Sequence, residues 1–301
     1  MKICLIIGTI VHWECMAYLF EIYKNEEIDL YTGYPHGGRA DVFKHLHYYK
    51  TLYKYNLMPI PFNLPIEKLD TYDFCFKINA PDMCIQHKKI ISIIHIMNGK
   101  EQRSGKLKSK HFLALCPYAP FQKKNIHYTF PVFRPHLKET YSKMITMVGY
   151  YLQDSFDENT LKFIQDNSDY TFNFVIWGSK NYNKLKKIKN IKLYHKINNI
   201  DLAEIINNSK YMLSKKVIKR DRFSGQLGLA MSFEKPMIID KKTKDAYNLP
   251  GLEFTKDYTE IGKLANITDN KYNALVEEIR KFKDETIEKN RATINALKEE
   301  T

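Results

Sequence analysis

The chain has 301 residues, enough for two domains of about 150 residues each, and 44% of them are hydrophobic, which excludes long disorder. Lys and Arg outnumber Asp and Glu 47 to 34, a net charge of +13; such a chain attracts phosphorylated or otherwise anionic partners, although Lys is abundant throughout. The five cysteines, Cys4, Cys15, Cys75, Cys84 and Cys116, are scattered with no Cys-x-x-Cys pair. That excludes a zinc or disulfide framework and suits a reducing, cytoplasmic compartment. Apolar runs are too short to cross a membrane.

The opening pattern is β-α-β. Lys2–Ile7 is apolar and β-branched and stops at Gly8, as a buried strand does. Met16, Ala17, Leu19, Phe20 and Tyr23 then recur at helical spacing, and 28–31 reads as a second strand. No Gly-x-Gly-x-x-Gly follows the first strand, so a dinucleotide fingerprint is absent. Gly37 and Gly38 allow a close backbone approach in a loop that carries His36, Arg39 and Asp41 into a helix over about 40–53. Further strands are expected at 73–78, 89–96, 112–115 and 126–130. His95 stands near the carboxyl end of the second of these, where parallel sheets line their ligand crevice.

Residues 131–143 carry two prolines and no clear period, which places the domain boundary there. The alternation restarts at 144–148, a strand ending at Gly149. Next come a helix over 157–165, a strand over 170–176 leading to Trp177 and Gly178, a strand over 191–194, a helix over 201–207 with Asp201 as N-cap, and a strand over 211–214. Lys215, Lys216, Lys219, Arg220, Asp221 and Arg222 form a charged loop, and Ser224 and Gly225 stand where the next helix opens. A loop feeding a helix N-terminus offers free backbone N–H groups and the positive end of the helix dipole, which suits a phosphate. Leu227, Leu229, Ala230, Met231 and Phe233 are its apolar residues, Pro236 stops it, and 237–239 is a buried strand. A last long helix is expected over 270–300, with Tyr272, Leu275, Ile279 and Phe282 on one side.

The stretch 221–240 resembles the nucleotide-sugar-binding segment of GT-B glycosyltransferases, especially the retaining group 1 or family 4-like enzymes. There a Glu precedes Gly-Phe-Gly, a helix with Glu-Ala-Met-Ala follows, and a Pro turn leads into a strand. Phe223, Ala230, Met231 and Pro236 match, Ser224 and Gly225 occupy the glycine-rich turn, and Gly149 and Gly178 match two strand-end glycines. Three positions depart. Asp221 stands for the first Glu, Leu229 stands for the second, which in the family holds the ribose, and the loop after Gly149 lacks the family's Arg and Lys.

The resemblance implies an α/β fold of two Rossmann-like domains facing a cleft. Residues 1–133 would bind the acceptor, 144–270 the nucleotide sugar, and the helix over 271–301 would pack back on the first domain. It implies a metal-independent glycosyltransferase moving a hexose or pentose from a nucleotide sugar to a glycan or glycoprotein, with the alternative of a catalytically degenerate protein that binds a nucleotide or glycan. Donor contacts are expected from Gly149, Gly178, Lys215, Arg220, Asp221, Arg222, Phe223, Ser224 and Gly225. His95, His36 and Asp41 are the candidates for a catalytic base. No cofactor beyond the donor is implied. The sequence contains no Asp-x-Asp, the metal-binding motif of the other main glycosyltransferase fold. No nucleic-acid-binding module is recognisable, and a peripheral membrane contact stays open.

Overall fold

A computed structural model describes residues 1–7, 14–32, 39–59, 66–78, 89–94, 111–117, 126–138, 141–149, 156–177, 185–214 and 223–297. The chain divides into two compact units. One holds Met1–Phe133, Lys219–Gly225 and Glu285–Thr301, the other Arg134–Ile218 and Gln226–Asp284.

The first unit is built on β1 (Lys2–Ile7), α1 (Glu14–Ile22), β2 (Glu27–Thr32), α2 (Arg39–Leu52), β3 (Asn56–Pro59), α3 (Ile66–Leu69), β4 (Phe74–Ile78), β5 (Ile90–Ile94), β6 (His111–Ala114) and β7 (Ile126–Tyr128). The strands form one sheet in the order β3-β2-β1-β4-β5-β6-β7. Every neighbouring pair is parallel. A parallel sheet is covered on both faces, which is why β1 reads as a continuous apolar run, with Ile3 to Ile6 fully buried. Cys4 and Cys75 lie side by side in register, buried with Ile6, Leu69 and Tyr72. Phe20 of α1 stacks on Tyr55 at 4.8 Å between ring centroids.

The second unit contains β8 (Met144–Gly149), α4 (Glu158–Asp166), β9 (Thr171–Ile176), β10 (Ile191–His195), α5 (Asn199–Asn208), β11 (Tyr211–Leu213), α6 (Gly225–Ser232), β12 (Met237–Asp240), α7 (Lys241–Tyr247), β13 (Leu252–Phe254) and α8 (Asp269–Ala296). Its sheet runs β10-β9-β8-β11-β12-β13, again wholly parallel. Phe163, Phe172, Phe174, Tyr211 and Tyr258 fill its core. α8 is one continuous helix whose residues from Glu285 onward belong to the first unit.

Three local details differ from the sequence reading. α5 begins at Asn199, two residues before Asp201. Its N-cap is Asn198, whose side chain accepts from the backbone N–H groups of Ile200 and Asp201. Asp201 instead lies in the first turn, where its charge suits the helix dipole. β3 and α3 fall in a stretch to which the sequence assigned nothing, as do α7 and β13. The stop of α6 is more than a proline effect. Glu234 adopts a left-handed conformation (φ 54°), its N–H bonds the Met231 carbonyl at 3.3 Å, and the Lys235 N–H bonds the Ala230 carbonyl at 2.9 Å. That pair of bonds is a Schellman cap, with Glu in the place usually taken by Gly.

Candidate functional site

In an open parallel sheet the ligand crevice lies at the carboxyl ends of the strands, where the strand order reverses. In the second unit that point is between β8 and β11, which pair through Tyr211 with Ile145 and Met212 with Thr146. Gly149 ends β8, and Ser214 follows the last residue of β11.

Both strand ends are held firmly. The Gly149 carbonyl accepts from the Trp177 N–H at 3.3 Å, which ties the end of β8 to the residue before Gly178. The Ser214 N–H donates to the Ile238 carbonyl at 2.9 Å, and its carbonyl accepts from the buried Tyr258 hydroxyl at 2.7 Å. Beneath the crevice a buried polar group ties β8 to its surroundings: Thr146 Oγ1 and Ser209 Oγ are 2.7 Å apart, and Asn173 Nδ2 donates to Thr146 Oγ1 at 3.4 Å. The chain thus leaves β11 from a pinned residue.

α6 opens at Gly225 directly after Ser224, and its residues from Gln226 to Ser232 are buried. The helix therefore has no solvent face on which to vary, and its start is set by packing. Phe223 is 1% exposed, and its ring meets Phe130 edge-on, with centroids 5.6 Å apart and an interplanar angle of 87°. Phe223 thus packs within the first unit, two residues before Gly225. Leu229, where the sequence resemblance would place a ribose-binding Glu, is likewise buried. Gln226, a buried polar residue in the first turn of α6, escaped the sequence reading because nothing in its neighbours marks it.

Asp240 is a second residue the sequence did not single out. It ends β12, at the carboxyl edge of the same sheet, and its Oδ1 caps α7 by accepting from the Thr243 N–H at 3.0 Å. Its other carboxyl oxygen, Oδ2, is buried without a hydrogen-bond partner among the described residues. A carboxylate at the end of a parallel strand was the available signal.

Of the sequence-derived donor residues, Gly149 stands at a strand end of the second unit's crevice, and Phe223, Ser224 and Gly225 stand at the opening of α6. Gly178, Lys215, Arg220, Asp221 and Arg222 lie outside the described residues. So do His36 and His95, while Asp41 falls in α2. Among the described residues, no three or more His, Cys, Asp or Glu side chains stand together as a metal site, and no helix is long and apolar enough to cross a membrane.

No protein-family model matches the chain, and no curated protein matches it in sequence. Solved structures do match. Anabaena HepE, determined in complex with UDP and glucose, superposes over 100% of both chains with a TM-score of 0.68 at 10% identity. AviGT4, a glycosyltransferase involved in avilamycin A biosynthesis, matches 100% of this chain and 98% of its own with a TM-score of 0.59 at 8% identity. A UDP-N-acetylglucosamine 2-epimerase matches 92% of this chain and 90% of its own with a TM-score of 0.56 at 13% identity. The chain has the GT-B fold of the nucleotide-sugar glycosyltransferases, with two Rossmann-like units.

Proposed function

We propose that the protein is a glycosyltransferase that moves a sugar from a nucleotide-sugar donor to a glycan or glycoprotein acceptor, without a bound metal. The observation that carries this reading is the strand order of the second sheet. It puts Gly149 and Ser214 at neighbouring strand ends, and α6 is the next described helix after Ser214. HepE, which shares the fold over its whole length, was solved with UDP and glucose; a uridine nucleotide is accordingly the first donor to try.

In this reading the backbone N–H groups at Ser224 and Gly225 and the dipole of α6 face the donor diphosphate. Lys215, Arg220 and Arg222 supply the charge that a metal supplies elsewhere. Such preorganised donors stabilise the diphosphate as it departs, since negative charge builds there when the glycosidic bond breaks. Asp221, Gly149 and Gly178 complete the donor site. His95, His36 or Asp41 acts as base toward the acceptor hydroxyl if the reaction inverts configuration.

One feature favours the alternative, a protein that binds a nucleotide or glycan without turnover. Leu229 stands buried where the family holds its ribose carboxylate. Two measurements separate the readings. Calorimetric titration with UDP and with a panel of UDP-, GDP- and dTDP-sugars is expected to show binding of at least one. Release of free nucleoside diphosphate on adding acceptor glycans then marks transfer. Binding without release supports the alternative, and no binding to any of them overturns both.

A further inference from the structure

Between Asp169 and Asp201 the sequence holds no carboxylate and no arginine, yet lysines recur through it. Lys186 and Lys187 lie on a 3₁₀ turn (Leu185–Lys187), Lys189 follows it, Lys192 is on β10, and Lys196 comes directly after that strand. All five are exposed. Among the described residues, none of them has a carboxylate at ion-pair distance, whereas surface lysines elsewhere in the same unit do: Lys143 meets Asp169 at 3.0 Å, Lys162 meets Asp166 at 3.7 Å, and Lys244 meets Glu253 at 2.8 Å.

Among the described residues β10 pairs with β9 alone and so forms the outer strand of its sheet. Lys192 therefore lies on an open sheet edge, about 17 Å long for a five-residue strand, and the other four lysines lie in the segments that flank it in the chain. Charged residues on an edge strand discourage strand addition by another chain. That accounts for Lys192 but not for Lys186, Lys187, Lys189 and Lys196, which lie off the strand. Four residues past Lys196, Ile200 opens its side chain to solvent at 43% exposure, one of the few large apolar groups left outside.

We propose that this edge docks the protein onto an anionic lipid surface. Lysine is a compact charge on a long, flexible stem. It suits a diffuse layer of headgroups, whereas the planar fork of arginine, absent here, suits bidentate reading of single phosphates and bases. Single-stranded nucleic acid needs exposed aromatic platforms; among the described residues of this segment no aromatic ring is among the exposed large apolar groups. Ile200, exposed in the first turn of α5, offers an apolar group of the kind that interfacial segments insert at the headgroup boundary. The inference is independent of sugar transfer.

The test is co-sedimentation of the full chain with vesicles of phosphatidylcholine alone and of phosphatidylcholine mixed with phosphatidylglycerol. Each lysine near such a surface contributes about fivefold to partitioning. The combined variant Lys186→Glu, Lys187→Glu, Lys189→Glu, Lys192→Glu should therefore bind the anionic vesicles at least about a hundredfold more weakly. A second combined variant, Lys242→Glu, Lys256→Glu, Lys263→Glu, Lys271→Glu, changes the net charge equally at other exposed positions. It should stay within about tenfold of the parent, because charge beyond a Debye length is screened. Where charge reversal unfolds the protein, as judged by circular dichroism, glutamine at the same four positions is used, and a loss of at least about tenfold is expected. The proposal is overturned if the parent stays in the supernatant with anionic vesicles at low salt, or binds both vesicle types alike. It is equally overturned if the two variants lose affinity equally, or if the parent holds a single-stranded RNA oligonucleotide but no vesicle.

Discussion

Asn290 of α8 closes its side-chain amide on the backbone of Phe130: its Oδ1 accepts the Phe130 N–H at 3.2 Å, and its Nδ2 donates to the Phe130 carbonyl at 2.7 Å. Both groups are buried, and Phe130 in turn carries the ring that receives Phe223. One amide thus satisfies both backbone groups of a residue that follows the last strand of the first sheet. Asn290→Ala removes two hydrogen bonds from buried backbone groups, each loss costing about 1–3 kcal/mol. We expect a lower midpoint in urea unfolding and faster hydrogen exchange at the Phe130 amide. Unchanged exchange there would show the clasp to be incidental.

Glu234, which caps α6, meets the buried Lys283 ammonium and the Arg280 guanidinium, the latter at 3.0 Å. Burial works to raise the Glu234 pKa, but the two cations together hold it below the ordinary carboxylate value. A group depressed in the folded state contributes stability above its unfolded pKa and loses it as pH falls through the folded value. The stability difference between the parent and Glu234→Gln should therefore shrink between about pH 6 and about pH 3. At neutral pH the variant leaves Lys283 buried without its partner, a loss of about 3–5 kcal/mol. A difference that is flat across this range would refute the assignment.

The adjacent Lys235 is also held below its ordinary pKa, but because its charged form is penalised rather than favoured. Burial pushes its ammonium down to about 8 from 10.5, although Glu234 partly offsets this, and Nζ donates to the Asn207 carbonyl at 2.8 Å. Below the folded pKa the lysine is protonated in both states, and the full cost of the buried charge is present. Between the folded and unfolded values the unfolded chain binds more protons, so stability rises with pH. The gain is on the order of 3 kcal/mol. Unfolding midpoints of the parent and Lys235→Gln, followed from about pH 7.5 to about pH 10, should diverge in favour of the parent. A constant gap between the two would mean that the ammonium is protonated as easily in the folded chain as in the unfolded one.

The charged stretch 215–222 is open to direct test. A charge-assisted contact to a buried diphosphate is worth about 1.5–3 kcal/mol. Lys215→Ala, Arg220→Ala and Arg222→Ala are made one at a time and titrated with UDP. Loss of Arg220 or Lys215 is expected to weaken binding roughly tenfold to a hundredfold, with thermal unfolding unchanged. Three variants that bind like the parent would rule these side chains out as donor contacts.

If cations and a helix terminus take the place of a metal at the diphosphate, as proposed, sugar transfer should proceed at an unchanged rate after exhaustive chelation. An absolute requirement for magnesium or manganese would count against the proposed mechanism.

Much of the fold was legible because its signals are local. The runs at 2–7, 74–78 and 144–149 are apolar because both sheet faces are covered, and the long helix shows its period over many turns. β3 was not legible. Asn56, Leu57, Met58 and Pro59 carry no β-branched residue, and the segment is a strand because it pairs with β2, where Asn56 Nδ2 also bonds Asp29 Oδ1 at 2.9 Å. β13 is equally short and depends on its pairing with β12. Asn198 and Asp201 are both competent caps; the buried face of Leu202, Ala203 and Ile206 decides where the helix begins.

The site divides in the same way. Strand-end glycines and a Ser-Gly helix opening are visible in consecutive residues, so the sequence alone singles out Gly149, Ser224 and Gly225 as candidates. That β8 and β11 are neighbours, with α4, β9, β10 and α5 between them in the chain, was not visible. Nor were the burial of Phe223 against Phe130 and the uncompensated oxygen of Asp240 among the described residues. Periodicity records how one segment meets an apolar layer. Strand order and cross-chain packing depend on how distant segments jointly cover both faces of each sheet, and only the tertiary structure decides that.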